Sequence, residues 1–327
     1  MRGFLSVCCV LLLLPMALLA EEKVVPGDWD LSVSVDTNRR YQVEREFRLQ
    51  VMLNGKREGG VVESSVEVRC DEFEPGFRIM PEEDWKMFIK AAQLAVKKES
   101  FLGSVRFQAD AGEVTTIYES MVLDGEWKLR VSRGGTALVF MPGQGKKVVE
   151  AIREAKAAEQ WYRALLGGGK LPQESEVMRR PQSKWVHVGF TSEALKSGNL
   201  SLSFSVRGEV SQAYCDCNLH YAEFGMKRVI SGGEVQGLLR RMRLVESRLR
   251  EGQAFEVSSQ EHDVMKYRVD ANLKKQCVNV MVLPEEEKPQ VGRFTLKQME
   301  ALKSLEDDTQ NKARWLRQNA GLFYRKE

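Results

Sequence analysis

The sequence predicts an α+β chain made of two duplicated domains, each an antiparallel sheet packed with two amphipathic helices. Three observations predict it. Several segments alternate apolar and polar residues with period two, others carry apolar residues at helical spacing, and the same order of both occurs twice.

Residues 28–36, DWDLSVSVD, alternate without a fault: Trp29, Leu31, Val33 and Val35 on one face, Asp and Ser on the other. That is the pattern of a strand with one wet face. Phe47, Leu49, Val51 and Leu53 repeat it, and residues 61–70 make a third, weaker strand. Residues 81–98 switch to helical spacing, with Trp85, Phe88, Ile89, Ala92 and Val96 on one side. Strands follow at 105–109, 114–122, 127–131 and 137–140, then a helix at 146–166.

The second half begins again with strands at 185–190, 200–206 and 210–221. A helix at 234–250 turns Val235, Leu238, Leu239, Met242, Val245 and Leu249 one way. Strands at 255–258, 265–270 and 277–282 precede a last helix, which Thr295 and Gln298 start as a capping box. Rare residues recur in matching places: Trp29 with Trp185, Trp161 with Trp315, Pro142 with Pro284, Cys70 with Cys217 and Phe77 with Phe224. The division is therefore a signal peptide at 1–20, a first repeat at 21–166, a linker at 167–182 and a second repeat at 183–327. The linker opens on three glycines and continues polar, which reads as flexible or laid on the surface.

The first twenty residues carry Arg2, an apolar run over 4–14, and Ala20 ahead of Glu21 and Glu22, the layout of a secretory signal. Cys8 and Cys9 leave with it. No later segment approaches the ~20 apolar residues of a membrane-spanning helix. The expected location is outside the cytoplasm, periplasmic or secreted. Lys and Arg number 49 against 46 acids. So balanced a charge argues against a nucleic-acid partner, which calls for a strong basic excess.

Chemistry concentrates in AYCDCNLHY, residues 213–221. Four cysteines remain after cleavage: Cys70, Cys215, Cys217 and Cys277. In an oxidising compartment an even number reads as disulfides. Cys277 is expected to pair with Cys215 or Cys217, leaving the other for Cys70. Zinc held by Cys215, Cys217, His220 and Cys277 is the weaker alternative. Cys-x-Cys is not zinc-knuckle spacing, and on a strand His220 points away from both cysteines unless a bulge intervenes. No metal or cofactor is expected.

Pro142-Gly143-Gln144-Gly145-Lys146-Lys147 has a glycine turn before a helix, where backbone N–H groups can hold phosphate. It lacks the glycine spacing and the Ser or Thr of a P-loop, so ordinary turn chemistry is expected. Glu261-His262-Asp263 reads as a solvated turn, and His187 as a half-buried strand residue. Neither a nucleophile elbow nor a zincin motif occurs. Lys227, Arg228, Arg240, Arg241, Arg243, Arg248 and Arg250 make a cationic surface on and before the 234–250 helix, a possible seat for an anion or partner.

Together these features lead to an exported, non-enzymatic binding or envelope-assembly protein. It would engage a protein or polymer on concave or edge surfaces between its repeats. The alternatives are an exported enzyme of unrecognised type acting on a polymer such as a glycan, and polyanion binding through the arginine helix at 234–250.

Overall fold

A computed structural model describes residues 25–325, except 40–48, 110–111, 169–170, 172, 183–184, 211, 222–225, 231, 261–265 and 284–288. Backbone alone is described for Pro75 and for the remaining residues of 211–235. Residues 1–20, read above as a signal, and Glu261-His262-Asp263 lie outside the described residues.

Among the described residues the chain is α+β, with four α-helices and three antiparallel sheets. In chain order β1 (Asp30–Asp36), β2 (Leu49–Glu58), β3 (Val61–Cys70) and β4 (Ile79–Met80) lead into α1 (Glu82–Lys97). Next come β5 (Phe101–Ala109), β6 (Gly112–Leu123), β7 (Glu126–Arg133) and β8 (Thr136–Phe140), then α2 (Pro142–Leu166). The second half runs β9 (Val186–Thr191), β10 (Leu195–Ser197), β11 (Leu200–Glu209), β12 (Gln212–Tyr221) and β13 (Met226–Ile230) into α3 (Gly232–Arg250). It ends with β14 (Glu256–Ser258), β15 (Lys266–Asn272), β16 (Cys277–Leu283), β17 (Gln290–Thr295) and α4 (Leu296–Gln318).

The central sheet runs β13-β12-β11-β9-β1-β2-β3-β4, with β10 pairing β11; β5–β8 and β14–β17 form the two smaller sheets. One face of the central sheet is mainly apolar: Leu31, Val33 and Val35 of β1, Val186, Val188 and Phe190 of β9, and Leu200, Leu202, Phe204 and Val206 of β11 are all buried. Helix α2 lies across β2 and β3, and α4 across β11 and β12. The shorter α1 packs on β5–β7, and α3 on β14–β16. Each large side chain sealed here stabilises by about 1.5–3 kcal/mol, and the buried residues form one continuous cluster.

The expectation of one sheet per half is corrected by a single fact. β1 pairs β9 through six residue pairs, from Asp30↔Thr191 to Val35↔Val186, so strands of both halves share one sheet. An alternating strand specifies which face is buried but not which neighbour it takes. The sequence also missed β4, β10, β13 and β17, of which all but β17 have five residues or fewer. Because of β17, Pro142 and Pro284 are not equivalent: Pro142 opens α2 after β8, whereas Pro284 falls between β16 and β17. Cys70 and Cys217 differ too, one ending β3 and the other midway along β12. Ser201, Ser203 and Ser205 of β11, on the side away from its apolar residues, are buried as well.

The linker is laid on the surface and tied down. Arg179 N–H donates to Ala157 O at 3.2 Å, and Arg325 N–H to Pro181 O at 2.8 Å. Arg180 grips Glu174 at 2.8 Å and donates to Gly321 O at 2.6 Å. The C-terminus is bound in turn by α2, whose Trp161 indole donates to Leu322 O at 2.9 Å.

Candidate functional site

The face of the central sheet opposite α2 and α4 carries a groove of about 750 Å³ over the β1–β9 seam. Two lateral rows of side chains build it, each fixed by strand register. One reads Arg207, Gly189, Ser32, Lys56, Glu63 across β11, β9, β1, β2 and β3; the other reads Glu209, His187, Ser34, Asn54, Ser65. All but Glu209 line the groove. They are the polar halves of the alternating strands, and DWDLSVSVD supplies its middle because Ser32 and Ser34 face away from the core.

The floor is low because Gly189 has no side chain. A Cβ there would stand 2.8 Å from Ser32 Oγ and 3.8 Å from Arg207 Cγ, so the arginine stem passes over the glycine. Ser32 Oγ donates to Gly189 O at 3.3 Å. At the β3 end Lys56 is shared by two carboxylates, Glu63 at 3.1 Å and Glu58 at 3.3 Å, which leaves that end net negative. At the β11 end Arg207 is half-buried and, among the described residues, makes neither a hydrogen bond nor an ion pair. His187 is exposed beside it rather than half-buried as its strand position suggested. Ser32, Ser34, Asn54 and Arg207 belong to no motif; wet-face alternation marks the two serines, and Arg207 lies just past the strand expected at 200–206.

The predicted site residues are placed elsewhere. Cys70 and Cys277 are free buried thiols, and burial pushes both above the usual thiol range, which keeps them protonated. Cys70 on β3 is five strands from β12, about 24 Å at ~4.8 Å per strand. A disulfide needs Cα atoms within ~7 Å, so the expected bridge from Cys70 to Cys215 or Cys217 does not span this sheet. Cys277 begins β16, in a different sheet from β12. The side chains of Cys215, Cys217 and His220 lie outside the described residues. Their backbone pairs with β11 in unbroken register, Cys215↔Val206 through His220↔Ser201, without the bulge that a shared metal would need. Among the described residues no three metal-ligating side chains gather.

The glycines of residues 142–147 do not form a phosphate-binding turn. They lie within the first turns of α2, with Pro142 at its start and Met141 N–H donating to Gln144 Oε1 at 2.9 Å. Gly145 is instead a packing contact: a Cβ would meet Leu129 at 3.2 Å and Ala92 at 3.4 Å.

The arginine helix is largely neutralised from within. Arg243 pairs with Glu306, Arg250 with Glu246 at 2.8 Å and Glu300 at 3.1 Å, and Arg248 with Glu251 at 2.9 Å. Arg241 donates to the Tyr267 hydroxyl, and Arg240 is exposed. Two of these pairs tie α3 to α4, so the cationic run serves helix docking. The side chains of Lys227 and Arg228 on β13 lie outside the described residues.

Comparison with protein families, curated proteins and solved structures finds no match for this chain. Its function is therefore argued from its own geometry.

A second polar cluster is sealed in the core between α1 and the β5–β8 sheet. Arg133 on β7 pairs with Asp84 in the first turn of α1, and both are essentially inaccessible. Its Nε donates to Thr116 Oγ1 at 2.9 Å, and its Nη1 to the carbonyls of Phe77 and of Ile79 (3.2 Å). The guanidinium lies between the rings of Phe73 and Phe107, 4.7 and 4.9 Å from their centroids. Asp84 Oδ1 and Tyr118 Oη are buried without a bond of good geometry. Burial pushes the Asp84 carboxyl up, and Arg133, Tyr118 and Thr116 oppose the shift without cancelling it. With the bonds of Arg133 spent on its own chain, the cluster's role is to clasp the β3–α1 connection onto β6 and β7.

Proposed function

We propose that this chain is an exported, non-enzymatic binding protein of two tandem copies of one α+β unit, and that its partner lies in the groove where the copies meet. The observation that carries the reading is the groove itself: an open furrow over the β1–β9 seam, edged by serines and Asn54, with an arginine that meets no partner among the described residues. Ligand sites favour such concave places.

The arrangement of elements supports the duplication. Outward from the seam the sheet reads β1-β2-β3-β4 on one side and β9-β11-β12-β13 on the other. Each half then adds a short helix, a four-stranded sheet and a long helix in the same order. Export rests on the N-terminal segment and a partner in the envelope or extracellular space follows from it.

An enzyme acting on a glycan would need two carboxylates flanking a sugar. The groove lining holds one, Glu63, already paired with Lys56. Glu300, Asp307 and Asp308 line a separate depression, but along one stripe of α4 with no opposing wall. Polyanion binding through α3 is disfavoured by the internal pairing of Arg243, Arg248 and Arg250.

The test is site-directed photocrosslinking in the native compartment, from Ser34 and Asn54 in the groove and from Lys303 on α4 as a control. A discrete adduct from both groove positions and none from Lys303 is the expected result. No groove adduct, together with turnover of a glycan by the purified protein, would refute the proposal.

A further inference from the structure

We infer that the groove takes an acidic peptide segment in extended form, with one side-chain carboxylate seated on Arg207 above Gly189; the inference rests on reading the groove as the binding site. Among the described residues Arg207 is the groove cation without a partner. Its stem lies over the bare backbone of Gly189, it is half-buried, and no carboxylate of the described chain meets it. A guanidinium presents a planar fork of donors suited to a carboxylate. Partial burial strengthens that pairing relative to one in open water.

Charge orients the occupant. Lys56 faces two carboxylates, Glu63 and Glu58, so the β3 end repels an acid and Arg207 is the cation left to receive one. Glu209, opposite His187 in the next row, discourages a second acid beside the first. The row from β11 to β3 spans four strand spacings, about 19 Å, the length of roughly six extended residues.

The lining favours a peptide over a sugar. It includes no Trp, Tyr or Phe among the described residues to stack on a pyranose face. Asn54, exposed in the second row, offers an amide donor and an acceptor in one plane, the complement of a peptide unit. Ser34 and Ser65 flank it and add hydroxyls that both give and accept.

The experiment uses the full chain with three probes: hexaglutamate, hexaglutamine and a hexamer of galacturonate, each carrying a benzophenone for mapping by mass spectrometry. Hexaglutamate is expected to crosslink to residues of β1, β2 and β9 around the groove and to bind more weakly as salt rises. Arg207→Gln should weaken it at least tenfold with the melting temperature unchanged, and Gly189→Val should block all probes. Equal binding of hexaglutamine, or hexaglutamate binding untouched by Arg207→Gln, overturns the carboxylate seat but leaves the groove as a site. Arg207-dependent capture of the galacturonate hexamer alone overturns the peptide and substitutes an acidic glycan. Crosslinks absent from the groove with every probe overturn both this inference and the reading beneath it.

Discussion

Replacing Arg133 by Met tests the clasp between the β3–α1 connection and the β5–β8 sheet. The substitution keeps an unbranched stem between Phe73 and Phe107 but removes the only cation bonded to Asp84 among the described residues. Asp84 is fully buried, and stranding one member of a buried pair costs about 3–5 kcal/mol. The carbonyls of Phe77 and Ile79 lose their donor as well, at about 1 kcal/mol or more each. A net loss near 4 kcal/mol is expected, because part of the carboxylate's cost is avoided by protonation. At about 2–3 °C per kcal/mol for a chain of this size, the melting temperature should fall by about 8–12 °C. Urea unfolding followed by tryptophan fluorescence gives the free energy directly, and one connected core predicts a single transition. The double variant Asp84→Asn, Arg133→Met should recover most of the loss, since no charge then remains buried. A single-variant loss below 1 kcal/mol, or a double variant as damaged as the sum of its singles, would refute the reasoning.

Other expectations follow from the same geometry. Gly145→Val should destabilise by about 1–3 kcal/mol by pressing on Leu129 and Ala92, whereas Gly145→Ala should stay within 1 kcal/mol as helix propensity offsets the crowding; chemical denaturation distinguishes them. The Arg180 hydrogen bond holds Glu174 down from 4.5 to about 2. Its contribution to stability is thus complete above pH 4.5 and lost as the pH falls toward 2, and Glu174→Gln should flatten the stability curve across that interval. Cys70 should alkylate only in denaturant; its recovery in a disulfide with Cys215 or Cys217 would contradict the strand order.

What the sequence made legible was face and period. Trp29 to Val35 and Leu49 to Leu53 show by spacing alone which side meets the core, and the structure buries those sides; on the 81–98 helix Trp85, Phe88 and Ala92 are buried but Val96, expected on the same side, is exposed. The Thr295–Gln298 cap was legible because its residue types are specific, and both its bonds form, at 3.0 and 3.3 Å. Lateral neighbours were not legible, because β1 satisfies its pleat equally beside β2 alone or between β2 and β9. The groove stayed hidden for that reason: Arg207, Gly189, Ser32 and Asn54 are distant in sequence and become one surface only through the register of four strands. Arg133 and Asp84 were hidden differently, since a charge in a strand or first helical turn ordinarily reads as solvated.

The β1–β9 pairing also has a cost in time. Ser32 and Gly189 are 157 residues apart, and synthesis proceeds at about 5–20 residues per second. For about 8–30 s after β1 emerges, then, its inner edge has no partner of its own chain, while Leu31, Val33 and Val35 are ready to pair with any strand nearby. Two nascent copies close together would satisfy each other's edges as readily as each satisfies its own. The interval before β9 arrives is when this chain is most exposed to strand exchange, and a factor that shields β1 during that interval would raise the yield of chains whose β1 pairs with their own β9.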